Sequence, residues 1–174
     1  MNVKIQLAIG CICVAVFMTV NQLKAQHSSA DAYVVSWNQG EALIDGRGRT
    51  NSINVSPASG SVNVGLTTQD MPRGSGIAVH THSETEEILF IHGGSATLIL
   101  GGERIQVAAG DTVFVPPGIS HGLENPNSNV QLVGVVTPPG QVGFFREISW
   151  RPGDKPKQFT PEQTREIAAR YDSD

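Results

Sequence analysis

The feature that most restricts what this chain can fold into is how often its apolar runs are cut. Short stretches rich in Val, Ile, Leu and Phe recur between turn formers such as Gly93-Gly94, Gly101-Gly102, Pro116-Pro117-Gly118 and Asn125-Pro126-Asn127. Brief β-branched and aromatic runs bounded by such breakers read as strands. The expected strands are residues 33–37, 52–55, 61–67, 76–82, 87–91, 96–100, 104–107, 112–115 and 130–137, with 144–150 as a further candidate. Nothing between them has the length or the 3.6-residue period of a crossover helix, which argues against a parallel α/β sheet. The chain therefore reads as all-β, a sandwich or barrel of short strands. One helix is expected near the C-terminus. Thr160 is a good N-cap, Pro161 suits the first helical position, and Gln163 completes a capping box. Ile167 and Tyr171 then share one face, so this helix is expected to pack on the barrel or cover its mouth.

The first residues carry a different signal. Lys4 is followed by an uncharged apolar run from Leu7 to Val20 and then by Leu23-Lys24-Ala25. A charged start, a short apolar core and a small-residue exit describe a secretory leader. The run is short against the ~20 residues a membrane span needs. The expected organisation is a leader at 1–25, an N-terminal β extension at 26–59, a barrel at 60–150 and a tail with a short helix at 151–174. The product would be exported, periplasmic or secreted, with no stable membrane insertion. Losing Lys4 and Lys24 moves the formal charge from −4 to −6, which argues against a nucleic-acid partner. Cys11 and Cys13 leave with the leader, so no disulfide, thiolate ligand or cysteine nucleophile is expected in the mature chain.

Chemistry concentrates in two segments. In His80-Thr81-His82, alternate residues of a strand project to one face, and a metal satisfies two neighbouring imidazoles as neutral donors. Glu87 heads the next apolar run and can reach the same point; Glu86, one residue away, is the alternative. His92, five residues beyond Glu87, faces away by strand alternation, and His27 sits at the expected mature N-terminus. Pro116-Pro117-Gly118 breaks a strand and redirects the chain, which can swing His121 back towards the first two histidines.

These two segments resemble the paired motifs of the cupin superfamily. Gly74, His80, His82, Glu87 and Gly94 match the first motif at every spacing, and Gly110, Pro116, Gly118, His121 and Asn125 match the second. The resemblance implies a double-stranded β-helix, the jelly-roll cupin barrel. It further implies one divalent transition metal ion (Fe, Mn, Ni, Cu or Zn) held by His80, His82, Glu87 and His121. The glycines, Pro116 and Asn125 take structural roles.

The chain is similar to small cupins grouped with quercetin dioxygenases. That similarity implies a metal-dependent oxygenase acting on a small enolic or phenolic substrate. Two other functions stand beside it: a metal-dependent isomerase or lyase on a sugar acid or hydroxy-acid, and a non-catalytic ligand- or metal-binding protein of the envelope. Leu89, Ile91 and Phe114, or their neighbours if the strand parity differs by one, are expected to line the cavity; Phe144-Phe145-Arg146 either fastens the C-terminal tail to the core or closes the cavity mouth, and Arg73 is either a surface residue or a further anion contact. Apolar residues on both faces of the 88–91 run point to a homodimer.

Overall fold

The computed structural model describes residues 31–174. The expected leader at 1–25 and His27 lie outside the described residues. Ten strands follow in order: β1 (Glu41–Ile44), β2 (Thr50–Val55), β3 (Gly65–Met71), β4 (Ile77–His80), β5 (Glu86–Gly93), β6 (Ser95–Leu100), β7 (Glu103–Ala108), β8 (Thr112–Val115), β9 (His121–Glu124) and β10 (Val130–Thr137). Among the described residues two α-helices, α1 (Gln141–Ile148) and α2 (Pro161–Ala169), follow the strands.

The strands form two antiparallel sheets, one ordered β1-β2-β3-β10-β5-β8 and the other β4-β9-β6-β7. From β3 onward the chain passes repeatedly from one sheet to the other, which is the jelly-roll arrangement expected from the sequence. Strand alternation decides what faces inward. In β5, Glu87, Leu89 and Ile91 are buried while Ile88 is exposed; in β10, Val130, Leu132 and Val136 turn in. Leu89, Ile91, Val130 and Leu132, together with Met71, Leu98, Val107, Val113, Val115 and Leu123, fill the space between the sheets. Gly94 makes the β5–β6 turn at φ +83, where a Cβ would lie 2.0 Å from the Asn129 carbonyl oxygen, so only glycine fits.

The structure moves several expected elements. The first strand is Glu41–Ile44, not 33–37; its Glu-Ala-Leu sequence has helix-forming residues, and pairing with β2 overrides that preference. Residues 144–150, expected as a strand, belong largely to α1. Val142, Phe145 and Ile148 recur every three residues, a helical period that the adjacent Phe144-Phe145 pair obscured. Val142 and Phe145 pack with Leu43 and Ile53 in a second apolar cluster. The C-terminal helix is present, with Thr160 accepting from the Gln163 amide and the capping box complete. Its successor Tyr171 donates its hydroxyl to Glu147 of α1 at 3.1 Å. Among the described residues no helix is long and apolar enough to cross a membrane.

Candidate metal centre

Three strands and one loop bring the four expected side chains together. His80 ends β4 and pairs directly with His121, the first residue of β9. Glu87 enters from β5 as the first inward residue of that strand. His82 lies beyond β4, because the strand stops at His80 instead of running to residue 82. One ligating atom from each of His80, His82, Glu87 and His121 falls within 4.8 Å of all the others. His82, Glu87 and His121 are buried and His80 is half-buried. Glu86 and His92 are exposed and lie outside the cluster, and His92 stacks instead on Trp37 at 4.7 Å.

The hydrogen bonds of the three imidazoles settle their tautomers. His80 Nδ1 meets the Ala78 carbonyl at 2.9 Å, His121 Nδ1 meets the Ile119 carbonyl at 3.0 Å, and His82 Nδ1 meets the Asp172 carbonyl. A carbonyl oxygen can only accept, so each Nδ1 carries the proton and donates. Each Nε2 is thereby left facing the shared centre, which is the outer-shell arrangement that orients histidine towards a metal. Two of these Nε2 atoms have protein partners here: His121 Nε2 lies 2.8 Å from Glu87 Oε2, and the Gln141 amide donates to His82 Nε2 at 3.1 Å.

Electrostatics separate the imidazoles. Burial, then the charge of His121, lowers the His80 pKa from 6.5 to about 4, so at neutral pH it is an uncharged donor. Burial, the largest single effect, would lower His121 as well, but the hydrogen bonds to Glu87 and to the Ile119 carbonyl, together with the charge of Glu87, outweigh it and raise the pKa. Three imidazoles and one carboxylate, buried and convergent, fit a divalent transition ion.

The C-terminal tail completes the loop that carries His82. The Asp172 carboxylate accepts from the backbone amides of Ser83, Glu84 and Thr85 and from the hydroxyls of Ser83 and Thr85. Thr81 and Asp174 exchange backbone hydrogen bonds at 3.3 and 3.2 Å. Asn125 does the same service for β4: its side chain donates to the Pro72 and Ser128 carbonyls and accepts from the Gly76 amide.

The cluster opens into a cavity of about 830 Å³, a size that suits a small organic molecule. Leu89 lines it as expected, and of the two roles open to Phe144 and Phe145 the structure places both in the cavity wall. Phe114 does not: it is 55% exposed, and Val113 and Val115 turn inward in its place. Ile91 is fully buried in the core. Arg146 turns away to Glu41 at 2.8 Å, and Arg73 lies exposed outside the cavity wall.

Sequence reasoning missed Gln69 on β3 and Gln141 at the start of α1, both buried in the cavity wall. Gln69 Oε1 has no hydrogen-bond partner among the described residues, a state that costs about 1–3 kcal/mol when nothing fills it. For Gln69, a polar residue at an inward strand position was the available signal.

Comparison with known proteins places this arrangement. The Cupin domain family matches residues 67–137. The chain is 38% identical over 55 residues to an uncharacterised protein of Methanocaldococcus jannaschii, covering 32% of this chain and 44% of that protein. It is 31% identical over 67 residues to an oxalate-binding protein of Thermotoga maritima, covering 38% of this chain and 55% of that one. The matches span about half the length of these curated relatives.

Among solved structures, one from Thermotoga maritima termed a predicted oxalate decarboxylase superposes with a TM-score of 0.55 at 24% identity, over 61% of this chain and 99% of that one. An RmlC-like cupin from Shewanella frigidimarina gives 0.52 at 21%, over 63% and 94%. These likenesses establish the shared barrel.

Proposed function

The chain carries a cupin domain, matched over residues 67–137, and on that premise we propose that it is a metal-dependent oxygenase acting on a small organic molecule with an enol or hydroxyl beside a carbonyl oxygen. The observation that carries this reading is the convergence of His80, His82, Glu87 and His121, of which His80, Glu87 and His121 line the cavity. A divalent transition ion supplies Lewis acidity there and, when it is iron, manganese, nickel or copper, redox chemistry towards dioxygen.

The chain's own groups do the rest. The three Nδ1 donors hold the imidazoles in one tautomer. Glu87 is the carboxylate that borders the cavity beside them, and its oxygens can take and hold the proton of an enol or hydroxyl. Leu89, Phe144 and Phe145 exclude water around the carbon skeleton.

A second reading keeps the metal and dispenses with oxygen: an isomerase, lyase or binding protein for a small hydroxy- or dicarboxylic acid. The 31% identity to an oxalate-binding protein favours it. The test is metal content by mass spectrometry on tag-free protein, beside a His80→Ala, His121→Ala double variant, followed by oxygen uptake with enolic and phenolic compounds. Stoichiometric metal in the parent that is lost in the variant, with substrate-dependent oxygen consumption, supports the oxygenase. Metal with turnover or binding but no oxygen consumption supports the second reading. No metal above the variant's background after reloading with each ion overturns both.

A further inference from the structure

Two buried amides flank the four candidate ligands. On the Glu87 side stands Gln69, 4% exposed; its Oε1 has no partner among the described residues, and its Nε2 reaches Thr67 Oγ1 only at 3.5 Å. Gly134 borders both Gln69 and Glu87, with Thr67 Oγ1 nearest to it. A methyl group there would lie 3.8 Å from Gln69 Nε2 and 3.9 Å from Glu87 Oε1. On the His82 side stands Gln141, its Nε2 at 3.1 Å from His82 Nε2. Both amides line the cavity.

Of the cations that line the same cavity, three have hydrogen-bond partners in the chain. Arg49 binds Asp45 at 2.6 Å and the Gly76 carbonyl at 2.9 Å, and Arg47 binds the Ser75 carbonyl at 3.1 Å. Lys157 binds the carbonyls of Arg146 and Glu147. Arg165 is exposed on α2. The polar groups that flank the cluster are neutral amides, each of which both donates and accepts.

A second carboxylate placed against them would offer no proton to the unpartnered Oε1 of Gln69. A hydroxyl group satisfies an amide in either direction. We infer that Gln69 and Gln141 are the specificity-determining contacts of this site, selecting a small 2-hydroxy monocarboxylate or its enol over a dicarboxylate. The inference rests on the metal-centre reading above and narrows its substrate class.

The experiment is calorimetric titration of the zinc-loaded full chain with glycolate and with oxalate, for the parent, Gln69→Leu and Gln141→Leu. Zinc affinity is measured first by chelator competition, and folding of each variant by circular dichroism. The expected result is tighter binding of glycolate than of oxalate by the parent. Each leucine variant then weakens glycolate by about tenfold and narrows its advantage over oxalate. Gln69→Asn and Gln141→Asn, which keep the amide one methylene shorter, give intermediate losses and serve if a leucine variant does not fold. Oxalate bound as tightly as glycolate by the parent, no glycolate binding, or glycolate affinity unchanged in variants that keep zinc overturns the inference alone. A parent chain that binds no zinc overturns the metal-centre reading and this inference with it.

Discussion

At the scale of the residue, the site is a matter of which nitrogen carries a proton. Three backbone carbonyls, those of Ala78, Asp172 and Ile119, hold the three Nδ1–H groups and turn the three Nε2 atoms to one centre. The weakest-supported of these by local sequence is His82, whose carbonyl partner lies 90 residues away. Asp172 secures that partner with its own side chain. Burial would raise its carboxyl pKa, but the hydrogen bonds from Ser83, Glu84 and Thr85 outweigh it and hold the group below the ordinary 3.8.

A depressed folded value means that the contribution of Asp172 is complete above the unfolded pKa and drains away as pH falls through the folded one. The side-chain carboxyl resonance of Asp172 is therefore expected to stay flat down to about pH 3.8 and to move only below it. Movement near neutral pH would contradict this. Asp172→Asn keeps a residue tolerant of the left-handed backbone at φ 56 while removing half the acceptors. It is expected to lower metal affinity about tenfold, as loss of an outer-shell partner does, measured by chelator competition.

At the scale of the element, the two motifs work as fasteners between strands. Asn125 is 2% exposed and ties the end of β3 and the entry to β4 onto the β9–β10 turn. Asn125→Ala leaves several buried backbone groups unpaired. A loss on the order of 2–3 kcal/mol follows, read by urea unfolding, together with weaker metal binding because β4 presents His80. Gly94→Ala is expected to be at least as damaging, since its Cβ meets backbone that cannot swing aside.

Strand parity explains Phe114. The register pairs Glu87 with Val115 and Leu89 with Val113, which puts the odd-numbered residues of β8 inward. A one-residue shift reverses every side chain, and sequence alone does not locate the shift when both faces of a strand are apolar.

At the scale of the molecule, one barrel core supports everything. Leu132, with no exposure, sits on the central strand β10 between β3 and β5. Leu132→Ala is expected to destabilise the fold by ~2–5 kcal/mol, measured by denaturant unfolding, with metal stoichiometry retained below the transition. A loss under 1 kcal/mol would mean the core closes around the cavity more readily than its packing suggests.

Breaker spacing, short β-rich runs and the two histidine motifs were sufficient for the all-β barrel, the capped C-terminal helix and the candidates His80, His82, Glu87 and His121. Those signals are local, because turn chemistry, capping and strand period act over a few residues. Tertiary structure decided the rest: α1 in place of a last strand, the inward face of β8, the tail that anchors His82 through Asp172, and the two amides beside the cluster. Each depends on which distant segments pack together. Gln69 and Gln141 are ordinary polar residues in the sequence, and only closure of the barrel and docking of α1 bury them next to four groups that converge on one point.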